Sequence, residues 1–302
     1  MPRAFERGRL AGYTLVEMII VIVIIGVVAA AAAVFLKLPL HSYQDAQRRA
    51  AISDAADTAF MLLKRDLQTA LPNSVRVTSA GAVFYLEFLQ TRTGGRYRAD
   101  SPTPAVPTGA NTCPDTNTNS LADENVLQFG VADTCFTTLG TLANLGAIAA
   151  NADFLAVYNL GPGFASADAY ASGNVTGGNK SLITSAAAGS GGENVIQFQS
   201  NTFSLDSPGR RFHVISGAVS YVCDPTVGTL RRYAGYAISA AQPAPPAGTP
   251  VLLAQGITAC TMTYDQNVIN QRIGVVGLWL RIADPNATAV NLFQQVQVSN
   301  VP

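Results

Sequence analysis

The chain has 302 residues, 19 basic against 19 acidic side chains, and only 13% charged residues. With 48% apolar types it is no disordered polyelectrolyte, and zero net charge argues against nucleic-acid binding through a basic footprint. Two histidines, His41 and His213, leave little for a histidine-built metal centre, while the length allows a sizeable core.

The apolar residues concentrate near the start. Met18 to Leu36, MIIVIVIIGVVAAAAAVFL, is nineteen residues without a charged or hydrogen-bonding side chain. At about 1.5 Å per residue it covers the roughly 30 Å hydrocarbon core of a bilayer. Three readings compete: a secretory signal peptide, a plain transmembrane anchor, and a leader that is cut before the apolar run. A signal peptide carries an apolar run of only about 7–15 residues. Glu17 also stands directly against the run, where a carboxylate is costly and normally marks function. Arg3, Arg7 and Arg9 precede the run and keep that end cytoplasmic, with the rest of the chain outside.

Upstream of the run lies Gly12-Tyr13-Thr14-Leu15-Val16-Glu17. This hexapeptide resembles the cleavage motif of prepilins, shared by type IV pilins and type II secretion pseudopilins. The resemblance implies a prepilin peptidase that cuts between Gly12 and Tyr13 and N-methylates Tyr13. Most members have Phe where Tyr13 stands. After cleavage the Tyr13 amine is a cation four residues from Glu17, and that spacing puts both on one helix face, where they can pair. In a filament the same carboxylate can instead neutralise a neighbour's amine, since it is costly to leave unpaired there. Losing Arg3, Glu6, Arg7 and Arg9 would leave the mature chain at net −2.

Beyond Pro39, where the helix can kink, helical character continues to Leu71. Ile52, Ala56, Ala59, Leu63, Leu67 and Ala70 form one apolar stripe at spacings of three and four. A helix from Tyr13 to Leu71 would reach on the order of 90 Å. Pro72-Asn73 ends it. The expected organisation is a leader at 1–12, a membrane or filament-core helix at 13–38, an amphipathic helix at 39–71 and a β-rich body at 72–302.

In the body, Val83–Phe88 reads as a strand and Gly94-Gly95 as a turn. Further strands are expected at 154–158, 195–198, 212–222, 229–238, 251–254, 260–264, 275–282 and 291–298. Leu139–Ala150 is the one further helical candidate. Ser101–Glu124, Gly161–Gly192 and the proline-bearing Ala240–Thr249 are expected to be loop-rich. The fold class is therefore α+β, a long N-terminal helix on an antiparallel β-rich head. Cys113, Cys135, Cys223 and Cys260 are an even count in an exported body, which suggests two disulfides. Of the three possible pairings, Cys113–Cys135 and Cys223–Cys260 is favoured, the first stapling the long polar loop and the second joining two strands.

Catalytic signatures are near misses. Gly173–Ser181 imitates a phosphate loop, but Asn179 displaces Lys180 by one place, and the segment reads as a Gly-rich surface loop. Asp115, Asn117, Asn119, Asp123 and Glu124 offer calcium-type oxygens at an EF-hand opening spacing, with Ser120 in place of the turn glycine and Val126 in place of the bidentate Glu. A solvated turn is the favoured reading there. No cofactor, metal or catalytic residue is assigned, and the chain is not expected to be an enzyme.

Body segments sharpen the resemblance. Tyr43–Ala50 (YQDAQRRA), Ala70–Arg76 (ALPNSVR), Gly94–Arg98 (GGRYR), Ser207–Phe212 (SPGRRF), Leu230–Tyr233 (LRRY) and Ser299-Asn300-Val301-Pro302 are similar to the MshO family of MSHA-type pilus biogenesis proteins. The layout also resembles the pseudopilin GspJ of type II secretion. The resemblance implies a minor pilin stored in the inner membrane with its head periplasmic, then assembled into an extracellular pilus. Its implied partners are the prepilin peptidase, other minor and major pilins and the membrane, with no nucleic acid. The alternatives are a type II secretion minor pseudopilin and a membrane-anchored exported enzyme or binding domain.

Overall fold

The computed structural model describes residues 12–98, 113, 126–171, 177–189, 192–265, 273–283 and 289–302. The chain divides into two compact units, Met1–Ala51 and Ile52–Pro302. Helix α1, Leu15–Gln68, belongs to both. In the first unit its Leu15–Ala33 stretch has a mean hydropathy of 2.9 and none of it is buried.

In the second unit α1 turns amphipathic. Ala56, Ala59, Phe60, Leu63 and Leu67 are buried, with Ile52 partly so, while Asp54, Asp57, Lys64 and Arg65 are exposed. The period of 3.6 residues puts these apolar side chains on one side. The helix stops at Gln68, three residues short of the expected end. Thr69 Oγ1 donates to the Asp66 carbonyl at 2.8 Å, and Ala70 bridges to Gln90 instead of continuing the helix. Asn73 then turns the chain at a φ of 59°.

The strands are β1 Arg76–Ala80, β2 Val83–Arg96, β3 Asp133–Thr137, β4 Phe154–Val157, β5 Lys180–Ala188, β6 Asn194–Asn201, β7 Arg211–Asp224, β8 Thr229–Tyr236, β9 Val251–Gln255, β10 Ile257–Asp265, β11 Ile273–Ala283 and β12 Ala289–Ser299. Nine form one sheet in the order β1-β2-β7-β4-β5-β6-β3, with β8 paired to β7 and β9 to β8. The other three form a second sheet, β10-β11-β12. All pairs between these strands are antiparallel.

One core joins the α1 stripe to Leu86 and Phe88 of β2, Val219 and Tyr221 of β7, and the inward row Val276, Leu278, Leu280 and Ile282 of β11. A second core is aromatic, with Phe136 edge-on to Phe212 at 5.0 Å and Phe198 beside Phe203.

Four local expectations change. Gly94-Gly95 is no turn but lies inside β2. A Cβ on Gly94 would meet the Phe212 carbonyl at 2.9 Å and one on Gly95 would meet Leu142 at 2.6 Å, so these glycines allow close packing. The Gly161–Gly192 region contains β5, held between β4 and β6. Leu139–Ala150 holds a single 3-10 turn, Leu145–Ala147. β1 and β3, five residues each, were not anticipated.

Candidate functional site

The residues that carry the motif stand where α1 begins. Gly12, Tyr13 and Thr14 precede the first helical residue, Leu15. Thr14 occupies the N-cap. Its Oγ1 accepts from the Glu17 backbone N–H at 3.3 Å, and its carbonyl accepts from the Met18 N–H at 3.2 Å. Thr14-x-x-Glu17 thus has the spacing of a capping box. Glu17 is in the first turn, where its negative charge opposes the positive end of the helix dipole. The helix starts two residues after Tyr13, so the helical i,i+4 alignment expected for Tyr13 and Glu17 is not set by α1 in the uncleaved chain.

Gly12 is exposed, has no left-handed φ, and a Cβ built on it would meet nothing within 4 Å. The fold therefore places no demand for glycine at that position. Gly26 likewise has open space around it, although a glycine inside a helix costs about 0.5–1 kcal/mol relative to alanine. The side chains that follow are apolar and exposed: Ile22 is 65% and Val27 65% accessible. Such a surface is stable only when lipid or other apolar helices cover it.

The four cysteines form two bonds. Cys113 joins Cys135 with a Cα separation of 5.6 Å, and Cys223 joins Cys260 at 6.6 Å. The second bond links β7 of the large sheet to β10 of the small one. The possible calcium ligands Asp115, Asn117, Asn119, Asp123 and Glu124 lie outside the described residues. Among the described residues no group of three or more His, Cys, Asp or Glu side chains could hold a metal ion.

The phosphate-loop imitation lies partly outside the described residues, but its end is not a surface loop. Lys180 and Ser181 begin β5 and are buried. The Lys180 Nζ donates to the Ala171 carbonyl at 2.8 Å and sits 5.1 Å from the Phe154 ring centre. Burial pulls its pKa down to about 8, against the opposing charge of Asp168. That Nζ is committed to the body's interior.

Two buried polar clusters escaped the sequence reading. Asp66 accepts from Tyr221 Oη at 2.9 Å and from Arg232 Nε at 2.6 Å. Glu87 accepts from Arg76 Nε at 2.9 Å and from Tyr236 Oη at 3.1 Å. Burial raises the pKa of Glu87, and the bonds and charge of Arg76 counter it. The available signal was a carboxylate inside the apolar run VFYLEFL and one beside Leu67. Both clusters cross-brace the body.

The model of the prokaryotic N-terminal methylation motif matches residues 7–33. The match supports a type IV pilin-like protein. Such a motif implies processing by a prepilin peptidase and assembly with other pilins, and with the apolar helix it fits membrane anchoring. No curated protein and no solved structure matches the chain.

Proposed function

We propose that the chain is a minor pilin-like structural subunit of an MSHA-type type IV pilus, acting in pilus initiation or assembly. The observation that carries the reading is the methylation motif running directly into an unburied apolar helix of membrane length. The body segments similar to MshO support the MSHA assignment. A prepilin peptidase cuts between Gly12 and Tyr13 and methylates the Tyr13 amine. Gly12 serves that enzyme, since the fold itself makes no use of it. The apolar helix stores the subunit in the inner membrane with its body periplasmic. On assembly the helix exchanges lipid for neighbouring helices, a transfer between two apolar surroundings. Glu17 then lies in a low-dielectric setting and pairs with a neighbour's methylated amine, which sets axial register. The work is assembly, and no residue turns over a substrate.

Mass spectrometry of the mature N-terminus tests this. The expected chain begins at methylated Tyr13; a start within 31–34 would mean an ordinary signal peptide and sink the proposal. Gly12→Leu is expected to leave the leader attached. Glu17→Ala is expected to be processed yet to enter sheared filaments poorly, and equal entry refutes the register role.

A further inference from the structure

Sheet edges are normally protected from other chains by shortness, charge, proline or a bulge. Most edges here comply. β1, β3 and β9 have five residues each, and the β3 ladder is shifted between Asp133 and Cys135. β10 has a shift between Ile257 and Ala259. β12 has none of these protections. Its 11 residues, AVNLFQQVQVS, include no charge, proline or glycine. Its register with β11 is unbroken from Ile273 opposite Ser299 to Ala283 opposite Ala289. Among the described residues no strand pairs with its other side.

The surroundings of this edge are also unusual for a solvent-facing surface. Phe293 is 62% exposed and stands opposite Trp279, the single tryptophan of the chain. Next to the strand, Gln294 shares a groove of about 220 Å³ with Asp57, Phe60, Met61 and Lys64 of α1. Met61 is 72% exposed on the side of α1 that the core does not use.

We propose that β12 is the docking edge for an extended, uncharged strand of a neighbouring pilin-like subunit. The strand adds to the three-stranded sheet as a fourth member and seats one apolar side chain in the groove beside Phe60 and Met61. Its chemistry follows from the edge. Outward backbone N–H and C=O groups are matched by another extended backbone, as in strand addition, while a groove for alternate side chains supplies selectivity. No side chain of β12 could compensate a charge placed against the edge itself, where it would be desolvated without a partner, since the charges of Asp57 and Lys64 lie at the groove and not on the strand. The proposal rests on reading the chain as a pilus subunit and names the surface by which its body meets the next one.

The test uses the full chain in a pilus-forming cell lacking its own copy. Gln295→Lys with Gln297→Lys places two charges on exposed positions of β12, and Met61→Asp charges the groove rim. Trp279 fluorescence and thermal melting of the detergent-solubilised proteins identify the folded variants. Each folded variant is expected to be processed normally, while its filament incorporation drops about tenfold or more. Gln295→Cys is expected to crosslink to a pilin subunit through a short thiol reagent. Wild-type incorporation by either folded variant overturns the docking edge. Failure of the wild-type chain itself to be processed and enter filaments would instead overturn its reading as a subunit.

Discussion

Asp66 carries two bonds that hold the end of α1 to the large sheet, one from Tyr221 and one from Arg232. Asp66→Ala is expected to lower the unfolding free energy by about 2–3 kcal/mol, and Tyr221→Phe by about 1 kcal/mol. Urea titration of the two variants checks both values. The sequence did not reveal this role. Asp66 follows Lys64 and Arg65, so it resembles one more solvated charge, and its partner Arg232 is 166 residues away. His213 was equally silent. Its Nε2 is buried without a partner, and burial, then the charge of Arg211, pulls its pKa to about 4 from an ordinary 6.5. Between these values the unfolded chain binds a proton that the folded chain refuses, so stability is lost as pH falls through that window. Relative to His213→Leu, the wild type should therefore lose stability from pH 6.5 down to 4. Glu87 is common to both proteins and cancels. A constant difference across the window would show that His213 is not held neutral.

At the scale of elements, the legible parts were those with strong periodicity. The α1 stripe and the alternation in β11 follow from one face meeting a core and the other meeting water. β5 was hidden because KSLITSAAA is small and polar, and it is a strand only because β4 and β6 supply partners on both sides. Gly94-Gly95 misled because a glycine pair signals a turn, while here Phe212 and Leu142 press on the strand. Leu63→Ala should cost about 3 kcal/mol, because Leu63 is fully buried, whereas Met61→Ala should stay within about 0.5 kcal/mol. The Cys223–Cys260 bond closes a span of 37 residues between the two sheets. Replacing both cysteines by alanine is expected to cost about 3–4 kcal/mol, read as a lower melting temperature that reducing agent then shifts only through the remaining Cys113–Cys135 bond.

On the scale of the whole molecule, the N-terminal segment was the most legible part. A membrane-length uncharged run has few physical explanations, and a carboxylate at its edge has fewer. The wider arrangement was less so, because two sheets and their cross-bracing depend on contacts between residues far apart in sequence. The division after Ala51 has a consequence for solubility. Core contacts start only at Ile52 and Ala56. A chain beginning at Ser42 is therefore expected to be soluble without detergent and to melt within about 4 °C of the full-length protein. Aggregation of that shortened chain would show that the body needs its apolar helix to fold.

The amide of Asn73, just past the end of α1, donates to the carbonyl of Asn300, 227 residues later. Ribosomes add about 5–20 residues per second, so this clasp waits on the order of tens of seconds for its second half. Throughout that interval the emerging chain lacks this clasp. A chain interrupted before Asn300 never closes this link between the end of α1 and the residue that follows β12.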